Sequence, residues 1–410
     1  MHDVVIVGAG PTGLWLAGEL RLGGASVVVL ETRLNRDENS KALTIHPRTI
    51  EILDCRGVVE LFLEEGIRIP NGHFGGLPDR MDFSVLDTPY PFTLALPQVR
   101  TEELLEQRAV GMGATVRRGC QVVGLTPNGV ELADGEVAGR YVVGCDGTRS
   151  TVREVAGIDF PGTAATTWGW LGDVVLDDPP ARGFASFTGP DGGLMVVPLP
   201  GGVHRIVGGD PATNRPEWPG ELTLDELRAT VKAIAGTDFG LRDPKWLSRF
   251  GNATRQASAY RSGSVLLAGD AAHMHFPTGG VGMNVGIQDA HNLGWKLAAV
   301  VTGRADDSLL DTYHSERHPV GADLLRHTRA QTALMTAYSA EGQALRAVVS
   351  GLIATAPDMS KELAERLSGL DVDYGNGRRV PDDGTLFTRL RSGRPVETAA
   401  GLVRPDGHLA

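Results

Sequence analysis

The chain has 410 residues, which at ~150 residues per domain predicts two or three domains. A hydrophobic fraction of 41% and a charged fraction of 22% are those of a globular protein, and a formal net charge of −11 argues against nucleic acid and anionic membranes as partners. No apolar run reaches the roughly 18 residues of a membrane span. Met1-His2-Asp3 lacks the basic flank of a secretory leader, and Cys55, Cys120 and Cys145 give neither zinc spacing nor a disulfide framework. A cytoplasmic protein is expected.

In chain order, Val4 to Val7 is a β-branched run expected as a strand buried on both faces. Gly8 to Gly13 follows, with Pro11 placed to open a helix that runs to about Gly23-Gly24. Ser26 to Glu31 returns as a second strand, completing a βαβ unit. Residues 47 to 64 have helical spacing at Ile50, Leu53, Val58, Leu61 and Phe62. Residues 70 to 98 read as loop and short strands. Residues 101 to 113 read as a helix capped by Thr101. Strands are expected at Gln121–Leu125, Gly129–Leu132 and Tyr141–Gly144.

From 165 to 210 the short apolar runs Trp168–Leu176, Phe184–Thr188, Leu194–Leu199 and His204–Gly208 alternate with Gly/Pro/Asp turns, the pattern of an antiparallel sheet. A helix at 223 to 235 and a strand reaching Phe250 complete it. Ser264 to Ala268 is again a buried strand, feeding a glycine-rich loop and a helix at 283 to 301. A long helix at 306 to 335 should kink at Pro319. Two shorter helices reach 369, and 370 to 410 has little to build a core. The expected fold is α/β: a Rossmann-like dinucleotide domain over 1–160 and 261–305, with some substrate-side strands at 70–98. A mostly antiparallel substrate sheet spans 161–260, a helical segment 306–369 and a tail 370–410.

Gly8, Gly10 and Gly13 form a G-x-G-x-x-G between strand and helix. The first glycine makes the turn, the second admits a pyrophosphate, and the third lets helix and strand approach. The helix N-terminus offers free N–H groups to that pyrophosphate. Glu31 lies 18 residues beyond Gly13, where a carboxylate accepts ribose hydroxyls and repels a 2′-phosphate, favouring FAD or NAD over NADP. A second motif is Cys145-Asp146-Gly147. A third is Ala268-Gly269-Asp270, continuing through Pro277, Gly279, Gly280, Gly282, Met283 and Asn284 as a glycine loop at a helix start.

These three motifs, in this order, resemble the class A flavoprotein monooxygenases with the p-hydroxybenzoate hydroxylase fold. The resemblance spans about residues 3 to 370. Gly251 to Gln256, Gly286 to Ala290, Asn292 to Leu297 and Tyr313 to Pro319 make it similar to the aromatic polyketide hydroxylases and rifampicin monooxygenases. The resemblance implies FAD held by the glycine loop with Pro11, Thr12 and Glu31. Lys41 should lie near the dinucleotide, Gln98 along the ribityl chain and Val122 by the adenine. Asp146 and Gly147 should touch FAD and help position the nicotinamide. Gly269 and Asp270 should serve the ribityl side, and backbone from Pro277, Gly279 and Gly280 through Gly282, Met283 and Asn284 should face the ring.

It further implies that NADPH acts as a transient electron donor, molecular oxygen as co-substrate, and a C4a-hydroperoxyflavin as the hydroxylating species on a polycyclic aromatic polyketide. An antibiotic-inactivating enzyme acting on a rifamycin-type naphthohydroquinone, or a flavoprotein reductase that does not incorporate oxygen, are the alternatives. Either a monomer or a homodimer is compatible. Two departures stand out. Val281 occupies a flavin-loop position that is often glutamine, and the tail is too short for the relatives' thioredoxin-like domain, leaving a vestigial or incomplete one with no cysteine.

Other residues carry a sharp and a bland reading. His273 with His275 could hold a metal, but packing and hydrogen bonding beside the flavin loop is the expected role, so no metal is assigned. His314 and His318 lie four apart on a helix without H-E-x-x-H and are expected on a solvated or salt-bridged face. One of Arg149 and Arg153 should pack structurally and the other could meet phosphate. Phe74, Phe184, Phe187, Met195 and Trp246 are candidate substrate contacts, although sheet aromatics are more often core.

Overall fold

In a computed structural model, residues 1–410 are described except Arg182 and Asn376. The strand His2–Val7 lies between Val27–Glu31 and the long strand Gly135–Gly144, parallel to both, with Val4 opposite Val27 and Tyr141. Val265–Leu267 extends the parallel sheet beyond Gly144, and Thr115–Arg118, which patterning did not suggest, forms the other edge. This order brings three chain-distant strand ends, Val7, Gly144 and Leu267, side by side. All three motifs begin just past those ends, where ligands of open α/β sheets bind.

Helices Pro11–Leu22 and Gly282–Val301 pack on this sheet at close range. A Cβ on Gly294 would lie 2.5 Å from the Glu19 Cβ, so glycine there sets the approach. The stripe Ile287, Ala290, Leu293, Leu297 and Val300 is buried as expected. The helix expected at 101 to 113 is Gln98–Gly111, preceded by Pro97. Thr101 is therefore no cap: it lies inside the helix, fully buried. The expected helix at 47 to 64 is two, Pro47–Asp54 and Val59–Leu63, broken by the turn at Gly57 with φ +67°.

The antiparallel sheet has five strands in the spatial order Ala185–Gly189, Gly192–Pro198, Val203–Gly209, Trp168–Leu176, Leu241–Gly251. Helix Leu224–Ala235, capped by Thr223 and closed by left-handed Gly236, covers one face. Trp170, Val174, Leu194, Val196 and Ile206 meet Leu227 and Val231 there. The period of two leaves the opposite face to Leu171, Asp173, Met195, Arg205, Val207, Trp246 and Phe250.

The long helix runs from Asp311 to Met335 through Pro319. The carbonyl of the preceding His318 accepts from Gln256 Nε2 at 2.7 Å. The tail overturns the expectation of too little core. Leu386, Phe387, Leu390, Val396 and Val403 bury themselves against Cys55. Buried Arg56 donates to the carbonyls of Leu390 and Pro405, and Arg48 to that of Asp406. Glu316 gathers Lys296, Arg404 and Asn292 at 2.6–2.9 Å. Burial lowers the Lys296 ammonium to about 8 against the pull of Glu316. Polar clamps to the main body reinforce this small apolar cluster.

Candidate active site

Glycines 8, 10 and 13 have different physical reasons. Gly8 has φ +106°, and a Cβ on it would sit 2.3 Å from the Cys145 carbonyl oxygen, at the start of the Asp-Gly motif. On Gly13 a Cβ would be 2.1 Å from the Gly8 carbonyl oxygen. Both are demanded by the protein itself. Gly10 has ordinary backbone angles and open space where its Cβ would be. Here the protein needs no glycine, whereas an approaching ligand would. The helix beyond it starts with Pro11 and has no side-chain cap, which leaves its N–H groups available. Glu31 accepts from Ala9 N at 3.0 Å and from Arg33 N at 3.0 Å, so one carboxylate shapes the loop and closes the second strand.

Thr12 is where the motifs converge. Its Oγ1 would lie 2.7 Å from a Cβ on Gly269 and 2.4 Å from one on Gly286, so the fingerprint helix, the Gly-Asp turn and the flavin-loop helix touch at one side chain. Asp270 is exposed beside that contact. Asp146 accepts from Ser150 Oγ at 2.5 Å and Val152 N at 3.1 Å; burial raises its carboxyl and these bonds oppose the rise. Gly147 has φ +81° and open space above it.

The glycine-rich loop is fixed by residues that motif reading passed over. Buried His46 meets the Gly279 carbonyl through Nε2 at 2.9 Å, and its backbone N–H donates to Asn284 Oδ1 at 2.8 Å. Asn284 Nδ2 donates to the carbonyls of Thr44 and Gly280. The Asn284 amide is thus spent on the protein, and only its backbone can face a ligand. Burial lowers His46 to about 4, so the imidazole is neutral at pH 7. Gly280 takes φ +65° against Thr44, and the helix from Gly282 has no side-chain cap. Behind the loop, Asp289 accepts from Arg317 Nε at 2.7 Å and Gly269 N at 3.1 Å, and pairs with His273 Nε2 at 2.7 Å. Burial opposes its ionisation, yet Arg317 and His273 hold its carboxyl below the usual range.

His273 packs and hydrogen-bonds beside the glycine loop, its Nε2 pairing with buried Asp289 at 2.7 Å. His314 and His318 do not lie on a solvated or salt-bridged face as expected. Their rings stack against Tyr260 and each other, and His314 Nδ1 accepts from Tyr260 N. Arg153 is the structural arginine, lying 3.8 Å over Phe160 and donating to the Ala271 and Thr148 carbonyls, while Arg149 is exposed. Gln98 accepts from Ala42 N at 2.9 Å and donates to Glu102, which orders the Lys41 segment; Lys41 is exposed. Val122 is buried two residues past Cys120, whose N–H donates to the Glu31 carbonyl.

The aromatic candidates separate by sheet face. Phe187 packs on Phe239 beneath the covering helix, away from the glycine motifs, and Phe184 is exposed just before its strand. The alternating burial Gly193 to Val197 puts Met195 on the other face, with Trp246. That face meets the dinucleotide side. Arg205, paired with Asp173 at 2.7 Å and lying over Trp246, reaches the Lys41 carbonyl at 3.5 Å, and Phe250 stacks on Phe276 of the glycine loop at 5.1 Å. Phe74 packs with Leu77 and Val281 beside the same loop.

An open Gly10, an open Gly147, an exposed Asp270 and two uncapped helix starts are what a dinucleotide with a pyrophosphate requires. The residues present fit FAD. No helix is long and apolar enough to cross a membrane among the described residues. The family described as FAD binding domain matches residues 1–328. The chain is 48% identical over 398 residues to an uncharacterized aromatic compound monooxygenase of Bacillus subtilis, covering 95% of this chain and 79% of that one. It is 42% identical over 462 residues to the rifampicin monooxygenase of Streptomyces venezuelae, covering 100% and 95%. It superposes on the anhydrotetracycline hydroxylase of Streptomyces rimosus with a TM-score of 0.89 at 38% identity, covering 100% and 95%. Motifs, fold and relatives agree: the chain belongs to the FAD-binding class A flavoprotein monooxygenases.

Proposed function

We propose that this chain uses NADPH and molecular oxygen to hydroxylate a polycyclic aromatic polyketide in the cytoplasm. The observation that carries the reading is that the fingerprint meets the Asp-Gly motif at Gly8 and the Gly-Asp turn at Thr12, beside an open Gly10. Gly8, Gly10, Pro11, Thr12 and Gly13 would hold the pyrophosphate and Glu31 the adenosine ribose. Asp146, Gly147 and Asp270 would border the rest of the dinucleotide, and the N–H groups from Gly280 to Asn284 would face the ring. FAD supplies hydride acceptance and oxygen activation when bound. The protein's part is orientation and exclusion of water. His46, Thr44 and Asn284 fix the loop, and Leu171, Met195, Trp246 and Phe250, flanking the Arg205–Asp173 pair, would form the wall for a fused-ring substrate. We assign 1–160 with 261–305 to cofactor binding and 161–260 to the substrate.

The balanced reaction consumes one NADPH, one proton and one O2, and gives NADP+, water and one new C–OH bond. The test is product mass after turnover under oxygen-18 with a panel of polycyclic phenols. One labelled oxygen per NADPH consumed is expected. NADPH oxidation with no label in any organic product would turn the assignment to a reductase. Identity to rifampicin monooxygenase along both chains supports a second substrate, a rifamycin-type naphthohydroquinone, and the same panel includes it.

A further inference from the structure

His275 follows the strand His273–Met274 and enters the glycine loop half-buried. Its Nδ1 lies 2.7 Å from the Phe276 carbonyl oxygen. A carbonyl only accepts, so the neutral ring carries its proton on Nδ1 and a lone pair on Nε2. Nε2 lies 3.3 Å from where a Cβ on Gly282 would be, and Gly282 is the first residue of the helix Gly282–Val301. It has no hydrogen-bond partner among the described residues and is open to solvent. A histidine lone pair therefore stands at an uncapped helix start, whose free N–H groups favour negative charge. Few charged groups bear on the ring. Asp270 and His273, on its own segment, act in opposite senses, and His273 is itself paired with Asp289. The first turn of the helix, Gly282 to Val285, has no charged side chain. Burial lowers the imidazole below its usual range against the pull of the Phe276 carbonyl and Asp270, so the ring is neutral at pH 7.

A lone pair facing a developing negative charge repels it, and a proton on that lone pair reverses the sign. We infer that His275 Nε2 takes up a proton when the flavin ring at this helix start is reduced, and so stores the proton that each turnover consumes. This rests on the proposed function, in which N–H groups from Gly280 to Asn284 face the ring, and adds to it the place of that proton. In the reductive step the nicotinamide C–H bond breaks, its electron pair and hydrogen form an N–H bond on the ring, and the ring gains one negative charge. A solvent proton bonds to Nε2 and makes an imidazolium that balances it. In the oxygen step that proton leaves Nε2 with the oxygen atom released as water.

The test is proton uptake, read with a pH-indicator dye in weak buffer while NADPH reduces the FAD-loaded enzyme without oxygen. At pH 6.5 wild type should take up about one proton per FAD reduced, as an imidazole raised by a neighbouring anion does. His275→Gln and His275→Asn, each of which can still donate to the Phe276 carbonyl, should take up almost none. By reciprocal linkage, their reduction equilibrium against a reference dye should weaken about tenfold at pH 6.5 and match wild type at pH 9. Equal uptake per bound FAD in wild type and variants would overturn the inference, even if the variants lose stability or FAD, because that is the mark of a structural role. Wild type reduced without proton uptake would also overturn it. Both results leave the monooxygenase reading intact. Failure of NADPH to reduce the FAD-loaded wild type at all, with or without a polycyclic phenol, would break that reading and this inference with it.

Discussion

The dinucleotide side and the antiparallel sheet solve placement differently. On the dinucleotide side, position is set by backbone: Gly8 and Gly13 hold strand and helix within a carbonyl's reach, and buried polar groups such as Asp289 tie the loops together. On the sheet, position is set by side-chain alternation, and one residue's step moves an aromatic from the face turned to the glycine motifs to the covering helix. Errors on the first side should therefore cost folding or cofactor. Errors on the second should shift substrate use or local packing.

The sharpest break is Asp289→Asn. It leaves Arg317 buried without its counter-charge, and a loss of about 3–5 kcal/mol is expected in chemical denaturation, with FAD released. An unchanged midpoint would mean the triad does not hold the loop. Close behind, Gly13→Ala should cost roughly 3 kcal/mol because the clash is with backbone. Gly10→Ala sharpens the point. It meets nothing in the protein, so apoprotein stability should stay within about 0.5 kcal/mol while FAD affinity falls at least about tenfold. Loss of apoprotein stability in that variant would show a structural rather than ligand-imposed glycine.

Acid tests the same side. His46 has a folded value of about 4 against 6.5 unfolded, so between these values the unfolded chain binds the extra proton. Its contribution is complete above about pH 6.5 and is lost as the pH falls toward 4, by about 3 kcal/mol in all. Urea midpoints at pH 7 and 5 should differ in wild type, and by less in His46→Gln. The smallest effects separate the sheet faces. Phe187→Ala should lower stability by about 1–3 kcal/mol with substrate KM unchanged, whereas Trp246→Ala should change KM more than stability. The reverse pattern would exchange the two faces.

Much of the dinucleotide side was legible because its rules are local. A glycine fingerprint between strand and helix, and an acid at the end of the next strand, state their geometry within Val4 to Glu31. Gly147, Gly269 and Asp270 were found the same way, as turns following buried strands. His46, Thr44, Gln331 and Arg346 were missed because each acts on a loop far along the chain, and no periodicity marks such a contact. Phe187 was misplaced because it belongs to a short strand whose facing depends on its partner's register. The tail's fold was missed because its stability comes from Arg48, Arg56 and Glu316 on other elements. What the sequence by itself determined is the set of elements, their motifs and the kind of cofactor, since these follow from backbone angles and spacing within a few residues. Which side chains close the site, and that His46, Thr44 and Asn284 fix its glycine loop, only the tertiary structure decided, because burial and partnership are properties of distant segments brought together.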